Sequence, residues 1–254
     1  MITGPRPPAI QVSGLGFRVG GAAILTDIDL QVPSGGFLGI IGPNGAGKTT
    51  LFNLLSGLLR PAEGKIELDG RDLAGVGPAD RAQFGLGRTF QASLLFGELS
   101  VFENARLAAQ ARLGGNMRWW HRPGKHDQAG SSALAALTAV GLAASADRPA
   151  AGLSHGDKRK LELAILVASG AKTLLLDEPM AGVNSEDVED LVELIAGLHS
   201  GGRTVLMVEH HIAVVLGLAE QVAVLHHGRL LACGEPAAVM ADDTVQGAYL
   251  GDPL

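Results

Sequence analysis

The sequence predicts an α/β fold with an antiparallel β layer at its N-terminus and a block of helices inserted in its middle. Apolar and polar residues alternate over 10–32 between glycines, which is typical of antiparallel strands joined by a turn. From about 92 to 168 the chain changes to Ala- and Leu-rich segments with helical periodicity. Short apolar runs that alternate with helices then return, as in a mostly parallel sheet covered by helices.

The individual elements follow from local patterns. Residues 65–70 form a short strand that ends in a turn. A helix over 186–199 has Asn184 or Ser185 in position to cap it, and acidic residues fill its first turn, where the helix dipole favours them. The inserted block should contain helices at 101–113, 131–143 and 156–169. The other predictions are strands at 174–176 and 204–208, a helix at 211–219, and a hairpin of 222–225 with 229–232.

Residues 42–50 match the template of a phosphate-binding loop, G-x-x-x-x-G-K-[ST]. Glycines let the backbone turn tightly and aim successive N–H groups at one anion. Lys48 supplies a cation for the β- and γ-phosphates, and the Thr49 hydroxyl can bind Mg²⁺. The whole loop is a candidate to bind nucleotide: Gly42, Pro43, Asn44, Gly45, Ala46, Gly47, Lys48, Thr49 and Thr50.

The flanks of this loop have the expected character. An apolar run at 37–41 precedes it, as in a buried strand, and a helical segment at 50–55 follows it, whose N-terminus would favour a phosphate. The chain is therefore predicted to bind a nucleoside triphosphate in an α/β P-loop NTPase (RecA-like) core. A P-loop GTPase or small-molecule kinase is an alternative, although the sequence has no Asn-Lys-x-Asp guanine motif.

Composition argues against several function classes. The formal net charge is −6 and the pI is near 5.7, whereas a duplex-binding surface needs a basic patch, so no nucleic-acid partner is expected. The only cysteine, Cys233, excludes an internal disulfide and a cysteine-based zinc cluster and fits a reducing cytosol. The apolar stretch at 133–144 is shorter than the roughly 20 residues of a spanning helix, so a membrane role would need a partner.

A second buried strand, predicted at 173–176, runs into two carboxylates, Asp177 and Glu178. Ligands of α/β sheets bind at the carboxyl ends of the strands. Asp177 is the candidate to hold Mg²⁺ through its water shell, and Glu178 is the candidate base that polarises the attacking water. Because successive side chains of an extended strand point to opposite sides, we expect the two acids to have different roles.

Residues 153–164 predict a helix with an unusual distribution of charge. Ser154 is a natural N-cap, and an apolar stripe follows at Leu161, Ala164, Ile165 and Ala168. Three cations at 158–160 crowd the first turns, where the helix dipole disfavours them. An anion delivered to the helix N-terminus would resolve this conflict. The alternative is a capped surface helix.

The order of these motifs resembles that of the nucleotide-binding subunit of an ABC transporter over nearly the whole chain. The P-loop, Gln91, the Leu-Ser-x-Gly helix, the Asp-Glu strand and His210 follow one another at the spacing of that family. The resemblance implies an ATPase that uses ATP and Mg²⁺. It also implies one cassette over 1–254, with a core of about 1–91 and 170–254 and a helical subdomain of about 92–169.

The resemblance further implies roles for individual residues. The Arg-Thr-Phe-Gln run that ends at Gln91 is similar to the Q-loop, residues 181–184 to the D-loop, and His210 to the switch histidine that contacts the γ-phosphate. Two cassettes, identical or different, would face each other head to tail. Each ATP would then lie between one P-loop and the other chain's Ser154, His155 and Gly156. The implied catalytic set is Glu178, His210, Gln91 and Lys48, and the implied metal ligands are Thr49, Gln91 and Asp177.

Finer features resemble the importers of branched-chain amino acids. They lie at 87–91, 99–104, 179–184 and 246–251, and a tryptophan-containing loop at 114–124 sits where that group also has an insertion. The ATPases of urea importers often share the Ser-His-Gly signature, so a urea or amide importer is an alternative. An exporter-type ATPase, such as one that moves lipopolysaccharide, is another. Soluble ABC proteins of DNA repair or translation usually carry long insertions or two cassettes, and this chain has one P-loop.

The resemblance implies partners beyond the second cassette. Integral membrane permease subunits would dock near 91–104, where Leu94, Leu95, Phe96 and Phe102 are apolar in a segment that otherwise has the character of a loop. Packing of these side chains inside the helical block is an equally weighted alternative. An extracytoplasmic solute-binding protein would act indirectly. The cassette would then be a peripheral protein at the cytoplasmic face of the inner (plasma) membrane.

The chain departs from the family pattern at two functional places. His155 and Asp157 stand where the signature usually has Gly and Gln, whereas the pair that faces the phosphate, Ser154 and Gly156, is kept. Val19 stands where an aromatic residue usually stacks on adenine. Phe17, two residues earlier on the same strand face, is the alternative contact for the base.

Overall fold

The computed structural model describes residues 6–89, 94–113 and 127–250 of the chain. In these ranges the strands form a four-stranded and a six-stranded sheet. The fold class predicted from the sequence is confirmed, with an antiparallel β layer, a mostly parallel sheet that carries the P-loop, and an inserted helical block. Gln91 and the predicted loop at 114–124 lie outside the described residues.

The N-terminal layer is the antiparallel sheet that the alternating pattern predicts. Its strands are β1 (Pro8–Val19), β2 (Ala22–Pro33), β4 (Glu63–Leu68) and β5 (Arg71–Asp72), in the order β2-β1-β4-β5. Val12 of β1 pairs with Leu30 of β2 and with Ile66 of β4, and all three are buried. The apolar positions therefore share one face, which packs on the rest of the molecule.

The six-stranded sheet forms the centre of the molecule. Its strands are β3 (Phe37–Ile41), β6 (Leu86–Arg88), β7 (Thr173–Asp177), β8 (Thr204–Val208), β9 (Gln221–His226) and β10 (Arg229–Gly234), in the order β10-β9-β3-β8-β7-β6. The pairs from β9 through to β6 are parallel, and β10 is antiparallel to β9. Parallel strands bring their carboxyl ends to one edge, so the residues after β3, β7 and β8 meet there.

β3 is buried on both faces, as a parallel strand covered on two sides should be. Phe37 and Ile41 belong to the apolar core that the sheet shares with the helical block. Leu38 and Ile40 belong to the second core, which lies between the sheet and the antiparallel layer. The strand that leads into the P-loop is therefore fixed from both sides.

Helices cover the central sheet. They are α1 (Lys48–Leu55), α2 (Pro78–Gln83), α3 (Val101–Leu113), α4 (Gln128–Ala139), α5 (His155–Ala168), α6 (Ser185–Ser200), α7 (Ile212–Leu218), α8 (Pro236–Met240) and α9 (Asp243–Leu250).

The two N-caps predicted from the sequence, for α5 and α6, differ in their hydrogen bonds. Ser154 caps α5 by accepting a hydrogen bond from the Asp157 N–H at 3.1 Å. Asn184 occupies the N-cap position of α6 without a side-chain capping bond.

The helix predicted at 131–143 is displaced in the structure. It begins at Gln128, because Asp127 accepts a hydrogen bond from the Gly130 N–H at 2.6 Å and acts as the N-cap. It ends at Ala139, and Gly141 then adopts a left-handed backbone with φ of 76°. The Ala-rich periodicity continued past this stop, so the sequence prediction placed both ends too far along the chain.

A buried arginine that the sequence analysis missed anchors the end of the P-loop helix. The Arg81 guanidinium, which starts on α2, donates to the carbonyls of Leu54 and Leu55 at 2.6 and 2.7 Å. It also donates to the carbonyls of Leu73 and Val76. Burial lowers the pKa of Arg81. The Leu54 carbonyl also accepts the Gly57 N–H at 3.2 Å, and the Arg81 guanidinium adds donors to the last carbonyls of α1, so Arg81 caps this helix from a distance.

Candidate functional site

The P-loop connects the carboxyl end of β3 to the N-terminus of α1, and its glycines are required by its path. Gly47, immediately before α1, has φ of 104°, and a Cβ there would lie 2.6 Å from Leu25 Cδ2. Gly42 has φ of 155°, and a Cβ there would collide with the Leu225 carbonyl. Only glycine meets both conditions. The turn leaves the first N–H groups of α1 directed at the space in front of the loop, which favours an anion.

Lys48 is the first residue of α1, and its ammonium lies within the loop. It donates to the carbonyls of Gly42 and Pro43 at 2.7 and 3.0 Å. Burial lowers the pKa of Lys48, while the nearby carboxylates of Glu178 and Asp177 act in the opposite direction. An ammonium has three donors, so one remains to meet a phosphate oxygen.

One open cleft brings the P-loop together with two of the predicted catalytic side chains. It has a volume of about 460 Å³ and is lined by Ile24, Asn44, Gly45, Ala46, Gly47, Lys48, Thr49, Thr50, Glu178 and His210. Glu178 follows β7 and His210 follows β8, which are neighbouring parallel strands. Residues from three parts of the sequence therefore converge where the carboxyl ends of the strands meet.

Glu178 and His210 contact each other in this cleft. Glu178 Oε1 lies 2.9 Å from His210 Nε2, and the Glu178 N–H donates to the Val208 carbonyl at 2.9 Å. The contact is a hydrogen bond in the tautomer that has the ring proton on Nε2, with the carboxylate as acceptor. The imidazole thereby restrains the carboxylate in an orientation from which it can accept a proton from a water in front of the P-loop.

The argument that Asp177 and Glu178 point apart because both are extended is wrong. Glu178 has φ of 47°, a left-handed backbone, so the strand ends at Asp177 and the chain turns at Glu178. The turn directs the Glu178 carboxylate to the His210 ring, while the Asp177 side chain stays buried behind the cleft. The two acids do differ in environment, but the cause is this turn and not strand alternation.

Asp177 is bound by an arginine that the sequence analysis did not assign to the site. Its Oδ2 pairs with Arg88 Nη2 at 2.8 Å, and the Arg88 guanidinium also donates to Asn53 Oδ1 and Ser56 Oγ of the P-loop helix region. The side chains of Arg88 and Asp177 are 7% and 1% exposed. Arg88 therefore joins β6, β7 and α1 behind the cleft. Its position three residues before Gln91, at the end of a buried strand, was the available signal.

The donor set is compatible with a magnesium ion. Asp177 Oδ1 is buried and accepts no hydrogen bond from any residue that the structure describes. Thr49 lines the cleft and offers a hydroxyl. Hard divalent cations prefer such oxygen ligands, so these two residues fit Mg²⁺. Gln91, the third predicted ligand, lies outside the described residues.

The N-terminus of α5 does not contribute to this cleft within one chain. Ser154, His155 and Gly156 are absent from the described residues that line it. Gly156 is buried on α6, and a Cβ there would lie 2.8 Å from Asp187 Oδ2. Ser154 and His155 are exposed.

The predicted charge conflict at this helix is largely resolved inside the chain. Arg159 pairs with Glu162 and Lys160 with Asp190, each at 2.8 Å. Asp157 places an acid in the first turn. Arg159 and Lys160 therefore do not by themselves require an external anion, contrary to the inference from the sequence.

The two candidate adenine contacts differ in exposure. Val19, at the end of β1, is 57% exposed. Phe17 is half-buried and packs against the apolar core under the antiparallel layer. A bulge between Phe17 and Arg18 also disturbs the strand pairing, so the expected common face of the two residues is interrupted.

The apolar residues near the predicted docking segment divide into two groups. Leu94 and Phe96 are 66% and 61% exposed. Phe102 is buried, and Leu95 packs against the core of the helical block. Leu94 and Leu95 also line a small cleft of about 140 Å³ between this segment and α5. Phe102 and Leu95 therefore follow the alternative of packing inside the helical block, whereas Leu94 and Phe96 are exposed.

None of the helices in the ranges that the structure describes is long and apolar enough to cross a membrane.

A glycine-rich loop between a buried strand and a helix, with carboxylates at the next strands' ends, defines a P-loop NTPase. The model of the ABC transporter family matches residues 25–181, and the chain belongs to this family. It is similar to the high-affinity branched-chain amino acid transport ATP-binding protein LivG of Salmonella typhimurium, with 36% identity across 96% of this chain and 98% of the relative. It is also similar to the lipopolysaccharide export system ATP-binding protein LptB of Haemophilus influenzae, with 34% identity across 90% and 91%.

A solved structure has the same fold. The ADP conformation of an ATP-binding cassette of an ABC transporter superposes with a TM-score of 0.84 at 27% sequence identity. The match covers 96% of this chain and 99% of that one. The chain is accordingly an ATP-binding cassette ATPase of the kind that is coupled to transport.

Proposed function

We propose that this protein is the ATP-hydrolysing subunit of an ABC importer for branched-chain or related amino acids. The observation that carries the hydrolytic part is the contact of Glu178 Oε1 with His210 Nε2 at 2.9 Å across the cleft from Lys48. The solute class rests on the LivG relative, which matches 96% of this chain. A urea or amide importer and an exporter-type ATPase are the alternatives, and similarity to LptB over 90% of the chain supports the exporter reading.

In the proposed reaction the triphosphate of ATP lies along the P-loop. Backbone N–H groups of the loop and the Lys48 ammonium bind its oxygens and stabilise the charge that develops on the transferred phosphoryl group. Glu178 orients a water for in-line attack and accepts its proton, and His210 holds the Glu178 carboxylate and contacts the γ-phosphate. Thr49, Asp177 and Gln91 would hold Mg²⁺, which supplies charge neutralisation at the phosphates when bound.

The active unit is proposed to be a dimer of cassettes with membrane subunits. Ser154 and His155 are exposed and are not among the described residues that line the cleft of their own chain, so they are available to a second chain. The capped start of α5, with Gly156, would meet the nucleotide bound by the partner cassette. Exposed Leu94 and Phe96 support permease docking near 91–104. This arrangement puts the cassette, as a peripheral subunit, on the cytoplasmic face of the inner membrane.

We also propose how the chain divides into a core and a helical subdomain. Residues 1–91 and 170–254 would form the core of one cassette over 1–254, and 92–169 its helical subdomain. Val19 is the favoured adenine contact because it is exposed, whereas Phe17 is committed to the core. An extracytoplasmic solute-binding protein would act through the membrane subunits, and no nucleic-acid partner is proposed.

The hydrolytic part is tested by Glu178→Gln. The amide cannot accept the proton, so turnover should fall by about 10²–10⁴-fold while ATP still binds. Steady-state phosphate release gives the rate, and gel filtration with ATP should show a persistent dimer. Glu193→Gln, an exposed acid on α6, is the control and should leave the rate unchanged. Hydrolysis by Glu178→Gln at the unmodified rate would remove Glu178 from its role as the base.

The solute is tested with the membrane complex. The tagged cassette is purified from native membranes with its co-purifying subunits and reconstituted in vesicles. ATP-dependent uptake of labelled leucine, isoleucine or valine is the expected result. Uptake of urea without these amino acids would favour the urea alternative, and extraction of lipopolysaccharide without uptake would favour the exporter alternative.

A further inference from the structure

Glu209 is a buried carboxylate next to His210, and it connects the segment that carries His210 to the segment that carries Glu178. It is 3% exposed and directly follows β8. Its Oε1 accepts a hydrogen bond from the Met180 N–H at 2.8 Å, and its Oε2 accepts one from the His210 N–H at 3.0 Å. The two oxygens thus bind two different parts of the chain. Glu209 directly precedes His210, and the sequence analysis gave it no role.

His211 completes the surroundings of this carboxylate. Its N–H and its ring Nδ1 lie 3.4 and 3.3 Å from Glu209 Oε2. Oε2 therefore faces the backbone N–H groups of His210 and His211 in the turn after β8, while Oε1 accepts the N–H of Met180 after β7. A buried carboxylate that uses both oxygens in this way fixes the distance between its partners, because the carboxylate itself is rigid.

The segments 177–180 and 208–211 are joined by a short ladder of contacts. The Glu178 N–H donates to the Val208 carbonyl at 2.9 Å, and the Glu178 side chain meets His210 at 2.9 Å. The Glu209 bridge to Met180 is the next contact along the same ladder. Bonds to the backbone on both sides of Glu178 therefore hold a residue whose φ of 47° is unfavourable for a non-glycine residue.

We propose that Glu209 is a positioning residue for hydrolysis, an inference that rests on the proposed role of Glu178 as the base. By binding the Met180 and His210 backbones at once, Glu209 fixes the turn at Glu178 relative to the imidazole. The Glu178 carboxylate is then presented to the P-loop cleft in one orientation.

Glu209→Gln tests this proposal without a change in volume. An amide has one acceptor oxygen, so it can serve the Met180 N–H or the His210 N–H but not both. Displacement of a catalytic group by about 1 Å can cost about 10²-fold in rate. We expect kcat for ATP hydrolysis to fall by about 10–10²-fold, and the KM for ATP to change far less because the P-loop is untouched.

Thr204→Val is the matched control on the opposite end of β8. Thr204 is buried, and its Oγ1 accepts a hydrogen bond from the Gly35 N–H at 2.9 Å, so its loss also breaks one bond to a distant backbone. Both variants should lower the urea midpoint, and only Glu209→Gln should lower kcat. If kcat of Glu209→Gln is unchanged, or if Thr204→Val lowers kcat equally, Glu209 is only a stabilising residue.

Two further variants extend the test. The first covers the case in which the Gln variant does not fold, and the second asks whether Glu209 acts through Glu178. Glu209→Asp keeps two acceptor oxygens on a shorter stem and should retain more of kcat than the Gln variant, with KM preserved. Equal losses in the two variants would overturn the proposal. If the Gln variant does not fold, Glu209→Asp carries the test: its shorter stem shifts the bridge, so kcat should fall in part, and an unchanged kcat would overturn the proposal. Adding Glu209→Gln to Glu178→Gln should reduce the rate no further, because Glu209 acts through Glu178.

The failures of the two ideas are distinguishable. If Glu178→Gln hydrolyses ATP normally, the proposed base is wrong, whatever Glu209 does. If Glu178→Gln is slowed as expected but the double variant is slower still by tenfold, Glu209 acts by another route and the positioning role is overturned.

Discussion

Removal of Arg88 should destabilise the protein through the carboxylate that it leaves behind. Arg88 and Asp177 pair at 2.8 Å with side-chain exposures of 7% and 1%, so water cannot replace the lost partner. Removing one partner of a buried ion pair costs about 3–5 kcal/mol, whereas an exposed pair is worth about 0–1 kcal/mol. We therefore expect Arg88→Met to lower the free energy of unfolding by about 3–5 kcal/mol.

Urea unfolding followed by far-UV circular dichroism measures this loss. Arg229→Met, at an exposed arginine of β10, should change the free energy of unfolding by less than about 0.5 kcal/mol. Arg88→Met with Asp177→Asn should recover part of the loss, because no unpaired charge is left buried. A loss below about 1 kcal/mol for Arg88→Met, or a double variant no more stable than Arg88→Met alone, would refute the reasoning.

Three further predictions concern the loop, the base and the end of the P-loop helix. Gly47→Ala should weaken binding of a fluorescent ATP analogue, because the added Cβ would lie 2.6 Å from Leu25 and the Gly47 backbone has φ of 104°. An unchanged affinity would show that the loop does not require glycine at this position. Val19→Trp should tighten the same binding by a few-fold, since stacking is worth about 0.5–1.5 kcal/mol, while Phe17→Ala should leave affinity unchanged and lower the melting temperature. Arg81→Met should lower the free energy of unfolding, measured by urea titration, by about 1–3 kcal/mol, because the carbonyls at the end of α1 lose the Arg81 donors. A change within about 0.5 kcal/mol would show that these carbonyls find other donors.

Local chemistry explains what the sequence predicted well. The P-loop could be identified because nine consecutive residues and their flanks contain the whole motif. The alternation of strands and helices predicted a mostly parallel sheet covered by helices, but it did not predict the order of the strands. Ser154 could be recognised as a cap because its partner, the Asp157 N–H, is three residues away.

What the sequence did not predict depends on contacts between distant segments. Arg88 and Asp177 are 89 residues apart, and Arg81 reaches carbonyls 26 and 27 residues earlier. No periodicity records such pairs. The turn at Glu178 was missed for a related reason, since its φ of 47° is held by the Val208 carbonyl and by Glu209 through Met180, and glutamate itself has no preference for that backbone.

The contacts between α5 and α6 have a mechanical consequence. Gly156 lies directly against the Asp187 side chain, whereas Lys160 and Asp190, farther along, form an ion pair whose acid is 63% exposed. Steric contact is insensitive to salt, but an exposed ion pair is screened. The start of α5 is thus held on α6 independently of ionic strength, whereas added salt should weaken the link at Lys160.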